Sequence, residues 1–335
     1  MSETDFGTAE QSSLHGRSGD VLLRHPDHFA GLPIVEAQVT QLGLGNQQVS
    51  SWRVLGEDTL LVRLSFEPRS VGRVVSHPGW FVLFVPLRWR GDFTFNGLTA
   101  RPHDAFIARA DLGYATVGAG RDTIAVGLRS SRLVATLTAF AGRPIDVAPL
   151  LDRRLGFGEV LGPRLGQRLL RAMAGATPSS DMDRRSRLGP TAEDDLFSAI
   201  ADLLLTVCDS HPVRNPVRSS ALEIVRAAER IFEADQTRSP RLADMCAASG
   251  VGQTWLHKCF LDIYGCSPGT YFKARRLSLA RERLLDPSVP PTAIKQVALS
   301  LGFINSGRFA FEYRERFGEN SSDTIRAASP GDRRP

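Results

Sequence analysis

The sequence predicts an α+β protein with two domains: an N-terminal β-barrel or β-sandwich with flanking helices, and an all-helical C-terminal domain. Short apolar runs separated by turn residues fill residues 20–130, and from residue 131 the hydrophobic period becomes helical. The charge is also uneven. Residues 217–335 carry 18 Lys and Arg against 13 Asp and Glu, whereas the first 216 residues carry 23 of each. A basic C-terminal unit on a neutral body favours a polyanion-binding module.

The strand prediction rests on three patterns. Residues 59–66 alternate between apolar and other side chains, which is typical of a half-buried strand. Residues 79–86 form a continuous apolar run, which suits a strand covered on both faces. Asn96-Gly97 predicts a hairpin turn, because both residues tolerate a positive φ.

Composition and periodicity also predict the domain limits. We expect a disordered tail at 1–19, a β-rich domain at 20–175 (strands at 20–130, helices at 131–175), a linker at 176–217 with one helix at 193–208, and a helical domain at 218–328.

Two segments of the helical domain resemble each other at a spacing of 52 residues, the distance from Gly250 to Gly302. Each segment reads as a short helix, a turn glycine and a second amphipathic helix, which is the helix-turn-helix pattern, at about 242–261 and 293–316. A helix beginning at Pro268 joins the two units. The residues predicted to form the scaffold, including a small buried alanine in each unit, are Leu242, Ala243, Gly250, Leu256, Phe260, Pro268, Ala298, Gly302, Phe303, Phe309 and Phe317.

The faces of these units that point away from the predicted core carry hydrogen-bonding or basic side chains. A helix that lies in a DNA major groove needs this chemistry to reach base edges and phosphates. The predicted DNA-binding residues are Gln253, Thr254, Trp255, His257, Lys258, Asn305, Ser306 and Arg308.

The pattern Leu242-Ala243, Gly250-Val251, Leu256, Phe260, Gly265-x-Ser267-Pro268, Ala298, Gly302-Phe303, Phe309 and Phe317-Gly318 resembles the AraC/XylS family of bacterial transcription regulators over about 100 residues. The resemblance implies a double helix-turn-helix DNA-binding domain joined by a long helix. It also implies an N-terminal domain, often a cupin-like barrel, that senses a small molecule or mediates dimerisation.

Three positions depart from the family pattern: Gly252 replaces a serine, Phe311 an arginine and Ser321 a proline. The run Gly307-Arg308-Phe309-Ala310 resembles a subgroup that includes the ethanolamine-operon regulator. In this comparison Arg308 takes over the DNA contact that is lost at Phe311. The second unit then either reads bases or only anchors phosphates.

Aromatic residues near the predicted barrel leave two interpretations open, a packed core or an apolar effector pocket around Trp80, Trp89 and Phe95. No His-x-His pair occurs, and the four cysteines form no Cys-x-x-Cys pair, so we expect no metal and no cofactor. The motifs of serine hydrolases, zinc proteases and nucleotide-binding loops are absent as well, so an enzyme is not expected.

These observations predict a DNA-binding transcription regulator, an effector-responsive activator whose partners are double-stranded promoter DNA and RNA polymerase, with a homodimer left open. The effector stays unknown. We expect a cytoplasmic protein without membrane contact, because no apolar run approaches the roughly 20 residues of a membrane span and no secretory signal begins the chain. Two alternatives stay open: an RNA-binding or protein-interaction adaptor, and a β-barrel enzyme with a helical appendage.

Overall fold

The computed structural model describes residues 33–46, 48–109, 112–178, 185–208 and 216–328. The predicted tail at 1–19 lies outside these residues. The described strands are β1 (Ile34–Gln41), β2 (Val49–Leu55), β3 (Thr59–Phe66), β4 (Ser70–Ser76), β5 (Trp80–Phe95), β6 (Leu98–Thr99), β7 (Asp104–Ala108), β8 (Tyr114–Arg129), β9 (Arg153–Gly156), β10 (Thr177–Pro178) and β11 (Arg185–Arg187). The described helices are α1 (Ser130–Ala141), α2 (Gly158–Ala174), α3 (Pro190–Cys208), α4 (Pro216–Ala234), α5 (Leu242–Ser249), α6 (Gln253–Tyr264), α7 (Pro268–Leu284), α8 (Ile294–Ser300), α9 (Ser306–Phe317) and α10 (Ser321–Ala328).

The two longest strands, β5 and β8, connect two halves of the sheet. The first residues of β8 pair with β4, and its later residues pair with β3. The pairing of β5 with β8 is irregular between Pro86 and Thr94, and Gly120 of β8 has a φ of 51°. These irregularities bend both strands, as β-bulges do. The hairpin turn between β5 and β6 lies at Asn96 and Gly97, both with positive φ, as the sequence predicts.

The cupin-like barrel that the resemblance implies is not confirmed, because the sheet is open. Among the described strands, the path runs β10-β11-β2-β3-β8-β5-β7-β9, and its two ends do not pair with each other. One face of this path packs against α1, α2 and α3 in a core that includes Leu61, Val126, Leu137, Leu169 and Ile200. The sheet therefore forms an open layer, and the three helices cover one of its faces.

The region expected to be a linker differs in the structure. Strand β11 pairs in parallel with β2. Helix α3 begins at Pro190, earlier than expected, and buries Leu196, Phe197 and Ile200 in the N-terminal core. Residues 185–208 therefore pack as part of the N-terminal layer. Their apolar positions three and four apart explain this packing, because they form a continuous stripe.

The C-terminal helices share one core that extends into the sheet. Phe260 of α6 contacts Tyr264, Tyr271 and Phe272, with ring centroids 5.7–5.8 Å apart. Val71 of β4 and Val117 of β8 belong to the same apolar cluster. The two parts of the chain are therefore packed together directly. None of the helices in the described part of the chain is long and apolar enough to cross a membrane.

We expect Phe260→Ala to lower the free energy of unfolding by about 3–5 kcal/mol, because it leaves a cavity in this core. Urea denaturation followed by circular dichroism measures the change. The matched control is Phe140→Ala in α1, whose ring is 52% exposed, and which should change stability by less than about 0.5 kcal/mol. Equal effects of the two substitutions would contradict the packing described above.

Candidate nucleic-acid interface

The helices α5 and α6, and likewise α8 and α9, form two helix-turn-helix units. Gly250 ends α5 in the left-handed region, with a φ of 68°, and Gly302 follows α8 with a φ of 76°. A Cβ atom at Gly302 would lie 1.8 Å from the carbonyl oxygen of Thr237, so only glycine fits there. We refer to α6 and α9, the second helices of the two units, as the recognition helices.

The two recognition helices share four buried helical positions. Both have 12 residues, and the fourth, seventh, eighth and twelfth residues of each are buried. The second, fifth, sixth and ninth residues are exposed in both helices, and we call these positions the outer face. In α6 the outer face consists of Thr254, His257, Lys258 and Leu261, and in α9 it consists of Gly307, Ala310, Phe311 and Arg314.

All five DNA-binding residues predicted in the first unit are exposed on α6: Gln253, Thr254, Trp255, His257 and Lys258. Trp255 and Lys258 are neighbours, since the Lys258 ammonium group lies 5.0 Å from the centre of a Trp255 ring. This cation–π contact orients a positive charge at the surface of the helix. Gly252 is the N-cap of α6 and supplies no side-chain cap.

The predicted residues of the second unit are exposed too, but two of them have structural partners. Asn305 is the N-cap of α9, and its Oδ1 accepts a hydrogen bond of 2.9 Å from the backbone N–H of Arg308. The Nε of Arg308 donates to Glu312 at 2.8 Å, and Lys273 reaches the same carboxylate at 2.9 Å. Burial opposes ionisation of Glu312, but these two cations outweigh it and lower its pKa. The charge of Arg308 is therefore partly compensated within the protein.

Most of the predicted scaffold residues are buried, including Leu256, Phe260, Ala298, Phe309 and Phe317. The prediction of a buried alanine in the first unit is wrong. Ala243 is exposed, and Leu242 is 39% exposed. Both lie in the first turn of α5, whereas Met245, one turn further on, fills the buried position.

Helix α7 contacts both units. It is capped by Ser267, whose Oγ accepts a hydrogen bond of 3.2 Å from the N–H of Thr270, and the buried Pro268 opens its first turn. On the side of the first unit, Tyr271 stacks on Tyr264 at 4.4 Å. On the side of the second unit, the guanidinium of Arg276 lies 5.0 Å from the centre of the Phe303 ring. With 17 residues, α7 is about 25 Å long.

The N-terminal sheet contacts the C-terminal ends of both recognition helices. The carbonyl of Arg316 in α9 accepts hydrogen bonds from Gln41 Nε2 at 2.8 Å and from the N–H of Gly45 at 3.1 Å. At the end of α6, a Cβ atom on Gly97 would lie 2.6 Å from the carbonyl oxygen of Asp262. The two outer faces remain exposed in this arrangement.

A buried ionic cluster around Glu229 of α4 joins the sheet to the helices. Glu229 Oε1 accepts hydrogen bonds from the hydroxyls of Tyr264 and Tyr271 at 2.7 and 2.5 Å. Arg73 of β4 lies 3.6 Å from Glu229 and 2.6 Å from both Glu36 and Glu233. Burial disfavours the charged form of Arg73, but these carboxylates outweigh it and raise its pKa.

The three residues predicted to line one effector pocket lie in different places. Trp80 lines an apolar cavity of about 60 Å³ between β1 and β4 on one side and β2, β3, β5 and β8 on the other. Trp89 lines a separate surface groove of about 600 Å³ beside α2. Phe95 is buried in an aromatic cluster and stacks on Phe106 with centroids 4.8 Å apart.

No local sequence pattern indicates a role for Arg73 or Glu229. Glu229 lies among apolar helix positions in the sequence. Its partner Arg226 is three residues away, but its other partners come from β4, α6 and α7 and are distant in the chain. In the sequence, Phe311 stands out as a departure from the family pattern and not as an exposed ring on a recognition helix. Phe311 is exposed at the sixth position of α9, which corresponds to Lys258 in α6, and this equivalence places it on the outer face.

Comparison with known proteins agrees with this geometry. Residues 245–327 match a family model described as a helix-turn-helix domain. The chain is similar to the XylDLEGF operon transcriptional activator 1 of Pseudomonas putida, with 30% identity over 137 residues, which is 41% of each chain. A probable thc operon regulatory protein of Rhodococcus erythropolis is 31% identical over 103 residues, 31% of each chain. These alignments span less than half the length of either relative.

A crystal structure of a probable AraC family transcriptional regulator from Rhodopseudomonas palustris is 37% identical. The match covers 32% of this chain and 98% of that one, with a TM-score of 0.29. Residues 245–327 of this chain therefore match a helix-turn-helix domain, and the chain is similar over part of its length to the regulators named above.

The buried tyrosines give a prediction about alkaline pH. All four tyrosines of the sequence are buried, and burial raises the pKa of each, to about 12 for Tyr313. An unfolded tyrosine ionises near its ordinary pKa of 10.0. The stability that these groups contribute is therefore complete below pH 10 and is lost as the pH rises above it.

We accordingly expect no tyrosinate absorbance in the near ultraviolet at pH 10, and a cooperative rise only when the protein unfolds. The same titration in denaturant should show a midpoint near 10. Gradual ionisation while circular dichroism still reports the native fold would contradict this account.

Proposed function

We propose that this protein is a sequence-specific DNA-binding regulator of transcription, an effector-responsive activator that acts on double-stranded promoter DNA in the cytoplasm together with RNA polymerase. The observation that carries the proposal is the pair of recognition helices. The two helices share four buried positions and the four exposed positions of the outer face, within a domain that matches the helix-turn-helix model. The relatives named above are a transcriptional activator and regulatory proteins.

In this proposal α6 reads bases by hydrogen bonding. Thr254, His257 and Gln253 are exposed donors and acceptors near the N-terminal end of the helix, the part that reaches base edges in helix-turn-helix proteins. Lys258 contacts a phosphate, and the ring of Trp255 orients the Lys258 side chain. In the second unit, the Gly307–Ala310 run supports a place in the subgroup that includes the ethanolamine-operon regulator.

Regulation in this proposal proceeds through the interface between the two domains. A ligand that binds the sheet shifts the arrangement of the recognition helices only if it binds two arrangements with different affinity. The cluster around Glu229 and the contacts of Gln41 with Arg316 provide a direct route between the domains. The apolar cavity beside Trp80 is our candidate for an effector, which would then be small and apolar.

Neither alternative function gains support from a specific feature. Among the described residues, no group of three or more His, Cys, Asp and Glu side chains could hold a metal ion. The names of the relatives reported above do not denote enzymes. The adaptor alternative does not explain why two helices expose equivalent positions on their outer faces.

Selection of bound fragments from a random pool of duplex DNA tests the function. We expect an enriched motif with two half-sites, and binding to it at least about 10³-fold tighter than to unrelated duplex. Equal affinity for all duplexes, or preference for single-stranded RNA of any sequence, would refute the proposal. Activation of a reporter gene carrying the motif then tests the regulatory role.

The role of Lys258 can be tested separately by its salt dependence. Removal of one phosphate contact lowers the slope of log affinity against log salt by about one unit and weakens binding to all sequences alike. We expect this of Lys258→Ala. The matched control is Arg168→Ala in α2, which removes one exposed positive charge from the N-terminal domain. An unchanged slope in Lys258→Ala would remove this residue from the interface.

A further inference from the structure

The outer face of α9 differs from that of α6 in chemistry although it matches it in geometry. On α6 the fifth and sixth residues are His257 and Lys258, whereas on α9 they are Ala310 and Phe311. The Phe311 ring is 61% exposed, in a helix whose other two phenylalanines are buried. Neither Ala310 nor Phe311 has a side chain that can donate or accept a hydrogen bond.

We propose that Phe311, with Ala310 beside it, determines the specificity of the second unit by contacting thymine methyl groups in the major groove. This inference rests on the function proposed above. The C5-methyl of thymine is the apolar group that a major groove displays, and alanine and phenylalanine are among the side chains that contact it. The second half-site is then read by apolar contact, and the first by hydrogen bonds.

Three features favour DNA as the occupant of this face. The first is position, because Phe311 occupies the helical position that Lys258 occupies in α6. The second is charge. The exposed Arg308 and Arg314 flank the ring along α9, and residues 245–327 carry 11 Lys and Arg against 7 Asp and Glu. A polyanion therefore complements the surroundings of the apolar patch.

The third feature is the glycine at the start of the outer face. Gly307 lies in the first turn of α9, and glycine has a lower helix propensity than alanine. A Cβ atom there would meet only Asn305 Oδ1, at the ordinary distance of 3.4 Å. Nothing within the described protein therefore requires glycine. A helix without a side chain at this position can come close to an external surface. Ala310, on the same face, has only a methyl group, so the Phe311 ring extends beyond both neighbours.

The experiment replaces single thymines of the selected motif by deoxyuridine, which removes only the C5-methyl group. For the protein without a substitution we expect affinity to fall about fourfold for each contacted methyl group, because the burial of that methyl group is lost. In Phe311→Ala the replacement that removes the methyl group contacted by the Phe311 ring should lose most of its effect, whereas a methyl group contacted by Ala310 keeps its effect. Replacements in the first half-site should affect both proteins equally.

The matched control is Phe140→Ala, which removes an exposed ring of similar accessibility, 52%, from the N-terminal domain. It should keep the preference for thymine over deoxyuridine. Because the comparison is made between variants on the same duplexes, any effect of the base change on DNA shape cancels.

The outcomes separate this inference from the proposed function. If the protein binds a specific motif but Phe311→Ala keeps the full preference for thymine, the inference is wrong and the function stands. If Phe311→Ala leaves DNA affinity unchanged and lowers only reporter activation, the ring contacts a protein partner and the inference is again wrong. If no specific duplex is bound, both proposals fail.

Discussion

The buried carboxylate of Glu229 constrains the arrangement of the whole molecule. It lies on α4 and accepts hydrogen bonds from tyrosines of α6 and α7, while Arg73 approaches it from β4. Arg226 of the same helix pairs with Oε2 of Glu229 at 3.3 Å. A buried carboxylate oxygen without a partner is destabilising, so Oε1 is satisfied only when α6 and α7 bring their tyrosines to it. One side chain therefore fixes the first helix-turn-helix unit, the long helix α7 and the sheet relative to one another. Breaking this cluster would disturb all three.

The two helix-turn-helix units show how one scaffold can carry different recognition chemistry. Their inner positions are equivalent, because both recognition helices must cross a short partner helix and pack on α7. Their outer positions do not affect packing and are free to differ. Asn305 also illustrates that a hydrogen-bonding residue at a predicted DNA-binding position can have a structural role. Its side-chain oxygen caps α9, and this structural use limits what it can offer to a base.

Periodicity and turn chemistry predicted much of the fold, and long-range contacts account for the rest. The strand at 59–66, the hairpin at Asn96-Gly97 and the two turn glycines depend on neighbours in the chain, so local patterns were sufficient. The open sheet depends on which distant strands pair and which do not, and the packing of α1, α2 and α3 on one face depends on contacts that no local pattern records. The helix α3 was expected to be part of a linker because its packing partners in the N-terminal core are distant in the chain. Ala243 was assigned to the core as a match for Ala298. It lies seven residues before its turn glycine, in the exposed first turn of α5, whereas Ala298 lies four residues before its own, so the two alanines are not equivalent.

The contacts at the ends of α6 and α9 have a consequence for the spacing of binding sites. Both helices are held at their C-terminal ends by loops of the same sheet, through Gly97 at Asp262 and through Gln41 and Gly45 at Arg316. They can therefore turn together but not independently. A duplex repeats its groove every 10–10.5 base pairs. Inserting about half that number between the half-sites would place them on opposite sides of the double helix, where a pair of helices with a common attachment could not reach both.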